Sequence, residues 1–174
     1  FVKATLHPAN SRTAEMCKLV ENSSRDVNIA FANELSLICD HAGINVWELI
    51  NLANKHPRVN VLQPGTGVGG HCIAVDPWFL VNDFPVETKL IRASREVNIY
   101  KTEWVIEKIK NSIYAYSKDH GKRPLVALMG LAFKPNIDDL RESPAKLTAD
   151  RLLQFNEAEY MVVACGYCHF SNIY

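Results

Sequence analysis

Gly65-Thr66-Gly67-Val68-Gly69-Gly70-His71-Cys72 sets four glycines among the eight residues that end at a single cysteine, and Asp76-Pro77 lies four residues further on. Glycine turns the backbone through positive φ and lets a ligand approach the main chain without meeting a Cβ. A thiol just after such a loop, close to a helix start, can be held as thiolate by free N–H groups and the helix dipole. That is the setting of a nucleophile, with Asp76 a nearby carboxylate for acid–base work. The same residues also read as a plain surface loop beside a small buried cysteine. Both readings stay open on this stretch alone.

Lys18 and Asn22 stand four apart in a helical stretch, so their side chains project to the same side. An ammonium and an amide placed there could stabilise an oxyanion formed on a carbon beside Cys72, at about 2.7–4 kcal/mol per donor. A solvated helix face is the plainer account of the pair. His71 adjoins Cys72, but neighbours in a loop usually point apart, and no Asn or Asp stands ready to orient the ring. No spacing among the histidines suggests a zinc site. Cys165-Gly166-Tyr167-Cys168-His169 matches the redox C-x-x-C and haem C-x-x-C-H patterns without the context that either needs, and reads as accident. Asn22-Ser23-Ser24 is a glycosylation sequon by pattern only.

One more cluster could bind a ligand. Gly130-Leu131-Ala132-Phe133-Lys134 follows an apolar run and precedes Asp138-Asp139-Leu140-Arg141-Glu142-Ser143-Pro144. A lysine at the C-terminal end of a parallel strand lies where α/β folds bind ligands, and Arg141 at a helix start offers a fork for phosphate. The spacing is not that of a G-x-G-x-x-G fingerprint, and no P-loop occurs.

Elements must carry these groups into place. Met16, Val20, Val27, Phe31, Leu35 and Ile38 recur at helical spacings and predict a helix from about Thr13 to Ala42, with Gly43 ending it. About 30 residues span about 45 Å, too long for burial in a compact monomer of this size, so the helix is expected to cross a domain or dimer interface. Asn45 predicts the cap of a second helix, Val46 to Lys55. After Asp76-Pro77 the run Trp78-Phe79-Leu80-Val81 packs, and Pro85 can open another helix whose periodicity runs to about Tyr116. Residues 1–117 thus read as a helical central or dimerisation domain around one glycine loop, and 118–123 as a linker. Within 124–174, Leu125–Met129 reads as a buried parallel strand, Pro144 to Phe155 as a helix capped by Ser143, and Tyr160–Ala164 as a second strand. That is the opening of an incomplete α/β domain.

Composition narrows the class. The 174 residues carry 19 basic and 19 acidic side chains, so nothing points to a nucleic-acid surface. No apolar run reaches membrane-spanning length, and the N-terminus lacks a signal-peptide pattern. The five cysteines are odd in number and irregular in spacing, which argues for a reducing, cytoplasmic setting.

Three stretches together resemble the nucleotide-sugar 6-dehydrogenases, the UDP-glucose and GDP-mannose dehydrogenase group. They are Ala14-Glu15-Met16-Cys17-Lys18-Leu19-Val20-Glu21-Asn22, the loop Gly67 to Cys72 with Asp76, and Gly130 to Lys134 through Arg141-Glu142-Ser143-Pro144. The wording His71-Cys72-Ile73-Ala74-Val75-Asp76-Pro77-Trp78-Phe79 is similar to that of members acting on UDP-N-acetyl-D-mannosamine. UDP-glucose enzymes usually carry a lysine just before the aspartate, where this chain has Val75.

The resemblance implies a four-electron oxidation of a sugar CH₂OH to carboxylate that reduces two NAD. Cys72 is then the nucleophile, passing through thiohemiacetal and thioester. Lys18 and Asn22 match the oxyanion- and water-positioning residues, and Asp76 the acid–base carboxylate. Arg58, Gly67, Gly69, Gly70, Phe133 and Lys134 match substrate-binding positions, Arg58 toward a neighbouring subunit's sugar, and Arg141 lies near the cofactor phosphates. A homodimer formed through the long helix is implied, with no nucleic-acid or membrane partner. The family's N-terminal G-x-G-x-x-G domain has no counterpart here, and residues from about Lys146 onward depart from the family's wording. The expectation is a central fragment, inactive alone. Two rival readings are a non-catalytic helical dimerisation module and a Cys hydrolase using His71.

Overall fold

The computed structural model describes residues 3–134, 137 and 139–163. Four helices come first: α1 (Ser11–Ala42), α2 (Val46–Ala53), α3 (Asp76–Asp83) and α4 (Lys89–His120). Strand β1 (Leu125–Met129), helix α5 (Pro144–Leu153) and strand β2 (Glu159–Val163) follow. The strands pair in parallel, with Leu125 opposite Glu159 and Met129 opposite Val163, so β1, α5 and β2 form one βαβ unit. Mostly helix, then the start of an α/β layer, is the architecture expected from the sequence.

The helix ends follow their capping residues. Asn10 accepts from Thr13 N–H at 2.9 Å, which starts α1 two residues before the periodicity suggests. Gly43, at φ 68°, ends it in the left-handed conformation. Asn45 caps α2 as expected, and Ser143 caps α5. α3 takes Pro77 in its first turn and buries Pro77, Leu80 and Val81. Pro85 does not open α4, because the chain turns there and the helix begins at Lys89. α4 also reaches past Tyr116 to His120, so Lys118, Asp119 and His120 of the expected linker are its last turn, closed by Gly121 at φ 65°.

The two 32-residue helices α1 and α4 pack along each other, and α3 rests against both. α5 docks on α4, where Phe155 just beyond α5 meets Tyr114 edge-on with ring centroids 5.3 Å apart.

The stripe Met16, Val20, Phe31 and Ile38 is left uncovered among the described residues: Phe31 is 56% and Ile38 58% exposed. The buried side of α1 carries Asn22, Ser23, Asp26, Ala30, Asn33, Ser36 and Cys39, small and polar groups, of which Asp26, Asn33 and Ser36 hydrogen-bond to side chains of α4. β1 is parallel but not buried, since Leu125 and Met129 are exposed and accessibility alternates along it. With a single neighbouring strand and α5 among the described residues, only one face is covered. The Cys165–His169 match lies outside the described residues.

Candidate active site around Cys72

The glycine loop runs between α1, α4 and the segment that follows β1, and each of them fixes one part of it. At the entry, Gly65 N–H donates to Asn33 Oδ1 at 2.8 Å, and Thr102 Oγ1 donates to Thr66 C=O at 2.7 Å. In the middle, Gly70 N–H donates to Arg141 C=O at 3.0 Å. At the exit, Cys72 C=O accepts from Val75 N–H at 3.1 Å and Asp76 N–H at 2.8 Å, and this turn launches α3. Cys72 is a free thiol, half-buried, one turn before the helix start.

The glycines are required by neighbouring protein atoms. A Cβ on Gly69 would stand 2.5 Å from Phe133 Cβ, 2.7 Å from Glu142 C=O and 2.9 Å from Pro144 Cδ. A Cβ on Gly67, at φ 136°, would meet Thr102 Oγ1 and the Pro144 ring, and one on Gly70, at φ 84°, would stand 3.0 Å from the Phe133 ring. These glycines therefore receive the post-β1 segment on the side a Cβ would fill, not an open ligand space there. Phe133 serves first as the lid over the loop.

Asn22 sits on the buried side of α1, 4% exposed, and its Nδ2 donates to Asp76 Oδ2 at 2.5 Å. Cys72, Asp76 and Asn22 are thus brought together from a loop, a helix start and a helix middle. Lys18 is not brought into that group: its side chain is 63% exposed and lies 3.6 Å from Glu21 Oε2. The reason is local, because residues 11–18 of α1 are exposed and no described element covers them. Arg58 is exposed on the loop after α2, its N–H donating to His56 Nδ1 at 3.3 Å. Lys134 curls back, with Nζ 5.7 Å from the centre of the Phe133 ring.

Arg141 grips Asp139 with Nε at 2.9 and 3.1 Å and Nη2 at 2.6 Å. Those hydrogen bonds hold the Asp139 carboxyl down at about 2. Its guanidinium fork is therefore filled by a carboxylate of its own segment.

A buried polar ladder behind the loop was not picked out from the sequence. Arg95 Nη1 donates to Asp26 Oδ1 at 2.7 Å, Asn98 Nδ2 donates to the same oxygen at 2.8 Å, and Asn33 Nδ2 donates to Asn98 Oδ1 at 2.8 Å. Lys101 Nζ donates to Ser36 Oγ at 2.7 Å and lies 4.0 Å from the Trp104 ring centre. Burial pushes the Asp26 carboxyl above its ordinary range against the pull of Arg95, and burial also lowers the Lys101 ammonium. The available signal was polar residues at helical spacing on two helices: 22, 26, 33 and 36 on α1, and 95, 98, 101 and 102 on α4.

Comparison with known proteins settles the kinship. The model of the UDP-glucose/GDP-mannose dehydrogenase family, central domain, matches residues 12–100, just over half of the chain. The chain belongs to this family. UDP-N-acetyl-D-mannosamine dehydrogenase of Escherichia coli strain K12 is 60% identical over 166 residues, which is 94% of this chain and 40% of that protein. An NDP-N-acetyl-D-galactosaminuronic acid dehydrogenase of Ralstonia nicotianae is 55% identical over 163 residues. A UDP-N-acetyl-mannosamine dehydrogenase structure from Staphylococcus aureus superposes with a TM-score of 0.83 at 43% identity, covering 98% of this chain and 40% of its own. This dehydrogenase-family chain thus spans about two-fifths of the length of the relatives it matches. With 94% of the chain aligned, most of the stretch after Lys146 lies within the likeness, contrary to the expectation that it departs from the family.

Proposed function

We propose that this chain is the central part of a cytoplasmic, NAD-dependent UDP-sugar 6-dehydrogenase that acts on UDP-N-acetyl-D-mannosamine, with Cys72 as its nucleophile. The observation that carries the reading is the Asn22–Asp76 hydrogen bond, which holds an amide donor and a carboxylate at the turn that presents Cys72. The names of the Escherichia coli and Staphylococcus aureus relatives support this substrate, and the Ralstonia relative keeps an N-acetylgalactosamine-type sugar as the second candidate.

In this reading the sugar C6, once at the aldehyde level, is attacked by Cys72 Sγ. The C–S bond forms as the carbonyl pair moves onto oxygen. Asn22 spends one N–H on Asp76 and has a second to offer that oxyanion. Lys18, one turn earlier on the same side of α1, supplies the ammonium. Its exposed pair with Glu21 is the kind worth about 0–1 kcal/mol, so a substrate oxyanion displaces Glu21 readily. Two-electron oxidation of the adduct leaves a thioester. Water then adds to it, Asp76 takes the proton, and Cys72 departs as thiolate.

The described residues do not fit the hydride acceptor itself. The chain lacks a strand–G-x-G-x-x-G–helix unit, and Arg141, the expected phosphate contact, is paired with Asp139 and would exchange that carboxylate for a phosphate. In this reading other parts of the enzyme supply the rest of that site, and Arg141 also braces the loop through its carbonyl. Phe133 and Lys134 line the nucleotide side, and Arg58 reaches a neighbouring subunit's sugar.

A homodimer through α1 accounts for the stripe Met16, Val20, Phe31 and Ile38, which nothing in the chain covers among the described residues. Phe31→Asp should then shift the complete enzyme toward monomer in sedimentation. The substrate assignment is tested by following nicotinamide reduction in the complete enzyme with UDP-N-acetylmannosamine, UDP-N-acetylgalactosamine and UDP-glucose. Reduction of about two nicotinamides per uronate, fastest with the first, is expected. No oxidation of any of the three would sink the proposal.

A further inference from the structure

Two hydrogen bonds hold consecutive residues at the entry of the glycine loop, and they come from different long helices. Asn33 of α1 accepts the Gly65 N–H, and Thr102 of α4 donates to the Thr66 carbonyl. Thr102 Oγ1 also occupies the place of a Cβ on Gly67, so hydroxyl and glycine fit each other. Asn33 stands eleven positions beyond Asn22, about three turns of helix, which returns it to the same side of α1. One helix therefore grips the loop before Cys72 through Asn33 and after it through Asn22 and Asp76.

The grip has a direction. Because Asn33 Oδ1 must accept the Gly65 N–H, its Nδ2 must face Asn98 Oδ1, and Asn98 Nδ2 must then face Asp26, the partner of Arg95. Asn33 and Asn98 are fully buried, and Thr102 is 5% exposed. A cavity of about 760 Å³ lies on the far side of Gly65 and Thr66, lined by Cys39, Ile44, Trp47, Lys101 and Trp104, so the entry has open room to move into when released.

We propose that Asn33 and Thr102 are positioning residues that fix the entry of the glycine loop and thereby set where the Cys72 thiol stands. The inference rests on the reading of Cys72 as nucleophile for its consequence in turnover, but not for the position of the thiol.

Thr102→Val removes the hydroxyl at constant shape, Thr102→Ser keeps it, and Asn33→Ala removes the acceptor. In the complete enzyme, iodoacetamide labelling read by peptide mass spectrometry compares Cys72 with Cys17, which is exposed and serves as the internal reference. Released from its entry bond, half-buried Cys72 should label faster relative to Cys17 in Thr102→Val, by about threefold or more, the factor one hydrogen bond can make. At the same time kcat should fall by about ten- to a hundredfold with KM unchanged, as expected for a displaced reacting group. Thr102→Ser should behave as the wild type in both respects. A Cys72 rate that stays the same or slows in Thr102→Val, a faster rate without loss of kcat, or a Thr102→Ser as impaired as Thr102→Val would each overturn the proposal. Asn33→Ala is expected to repeat the Thr102→Val pattern, and where it does not fold, Thr102→Val decides alone. Full turnover by Cys72→Ser would remove the nucleophile reading and leave the labelling ratio to judge the clamp.

Discussion

Asn22 Nδ2 donates to Asp76 Oδ2 at 2.5 Å, joining two helices across 54 positions of sequence. The bond fixes the first turn of α3 to the middle of α1, and Cys72 hangs from that turn by its own carbonyl. Asn22→Ala leaves the carboxylate without its partner in a part-buried place. The variant should lose about 10²–10³ in kcat, the size found for a missing oxyanion donor, and lose about 1–3 kcal/mol of stability. Steady-state kinetics and urea melts of the complete enzyme check both, and an unchanged kcat would show that Asn22 only props α3.

The Asp26–Arg95 pair has side chains 0% and 5% exposed, and Asp26 Oδ2 and Arg95 Nε have no hydrogen-bond partner among the described residues. Removing one partner leaves a buried, uncompensated charge. Asp26→Ala should therefore destabilise by about 3–5 kcal/mol, while a double replacement by apolar residues of similar volume should cost far less. Denaturant titration of the single and double variants makes the comparison. Equal losses in the two would mean that the pair's own attraction, and not the orphaned charge, carries the effect.

Lys101 gives the pH dependence its sign. Burial lowers its ammonium below the ordinary 10.5, with Asp40 opposing and Lys108 adding to the shift. Below the lowered value the folded and unfolded chains both carry the proton, and the burial penalty is present in full. As pH rises through the lowered value toward 10.5, the folded state releases its proton first and the penalty fades. Lys101→Met should accordingly raise Tm most at the acid end of a pH series, with its advantage over the wild type shrinking as pH rises toward 10.5. An advantage that stays constant across this range would contradict the assignment.

Gly69 is closed in by protein on three sides, and one of its neighbours is the backbone carbonyl of Glu142. Gly69→Ala should cost about 1–3 kcal/mol by overpacking, and Phe133→Ala should not restore it, because alanine keeps the Phe133 Cβ that the new methyl meets and the Glu142 carbonyl also stays in place. Thermal melts of the single and double variants test this. Recovery in the double variant would mean that the segment carrying residue 133 and the Glu142 carbonyl shifts once the ring is gone, and that the close fit at Gly69 is not rigid.

The helices, their caps at Asn45 and Ser143, and the parallel strands were legible in the sequence because periodicity and capping are local. Cys72, Asp76, Lys18 and Asn22 were named from loop and helix spacing and then from the family resemblance; the structure joins Asn22 to Asp76 and Asp76 N–H to the Cys72 carbonyl, and leaves Lys18 outside. What escaped was long-range. Asn33, Asn98 and Thr102 are ordinary helix-face polar residues until α1 and α4 lie side by side, and only then does each find a partner far away in the chain. The apolar stripe of α1 likewise shows a face that wants covering, but not what covers it. The glycines, first read as room for a ligand, proved to be room for Phe133 and Pro144.

Whether the Cys72 sulfur forms the bond to sugar carbon is settled most directly by trapping it. Cys72→Ser in the complete enzyme, given UDP-N-acetylmannosamine and NAD, should make no free uronate, and rapid-quench mass spectrometry of the wild type should find the sugar attached to the peptide that carries Cys72. Uronate production at the wild-type rate by Cys72→Ser, with no adduct on that peptide, would contradict the account.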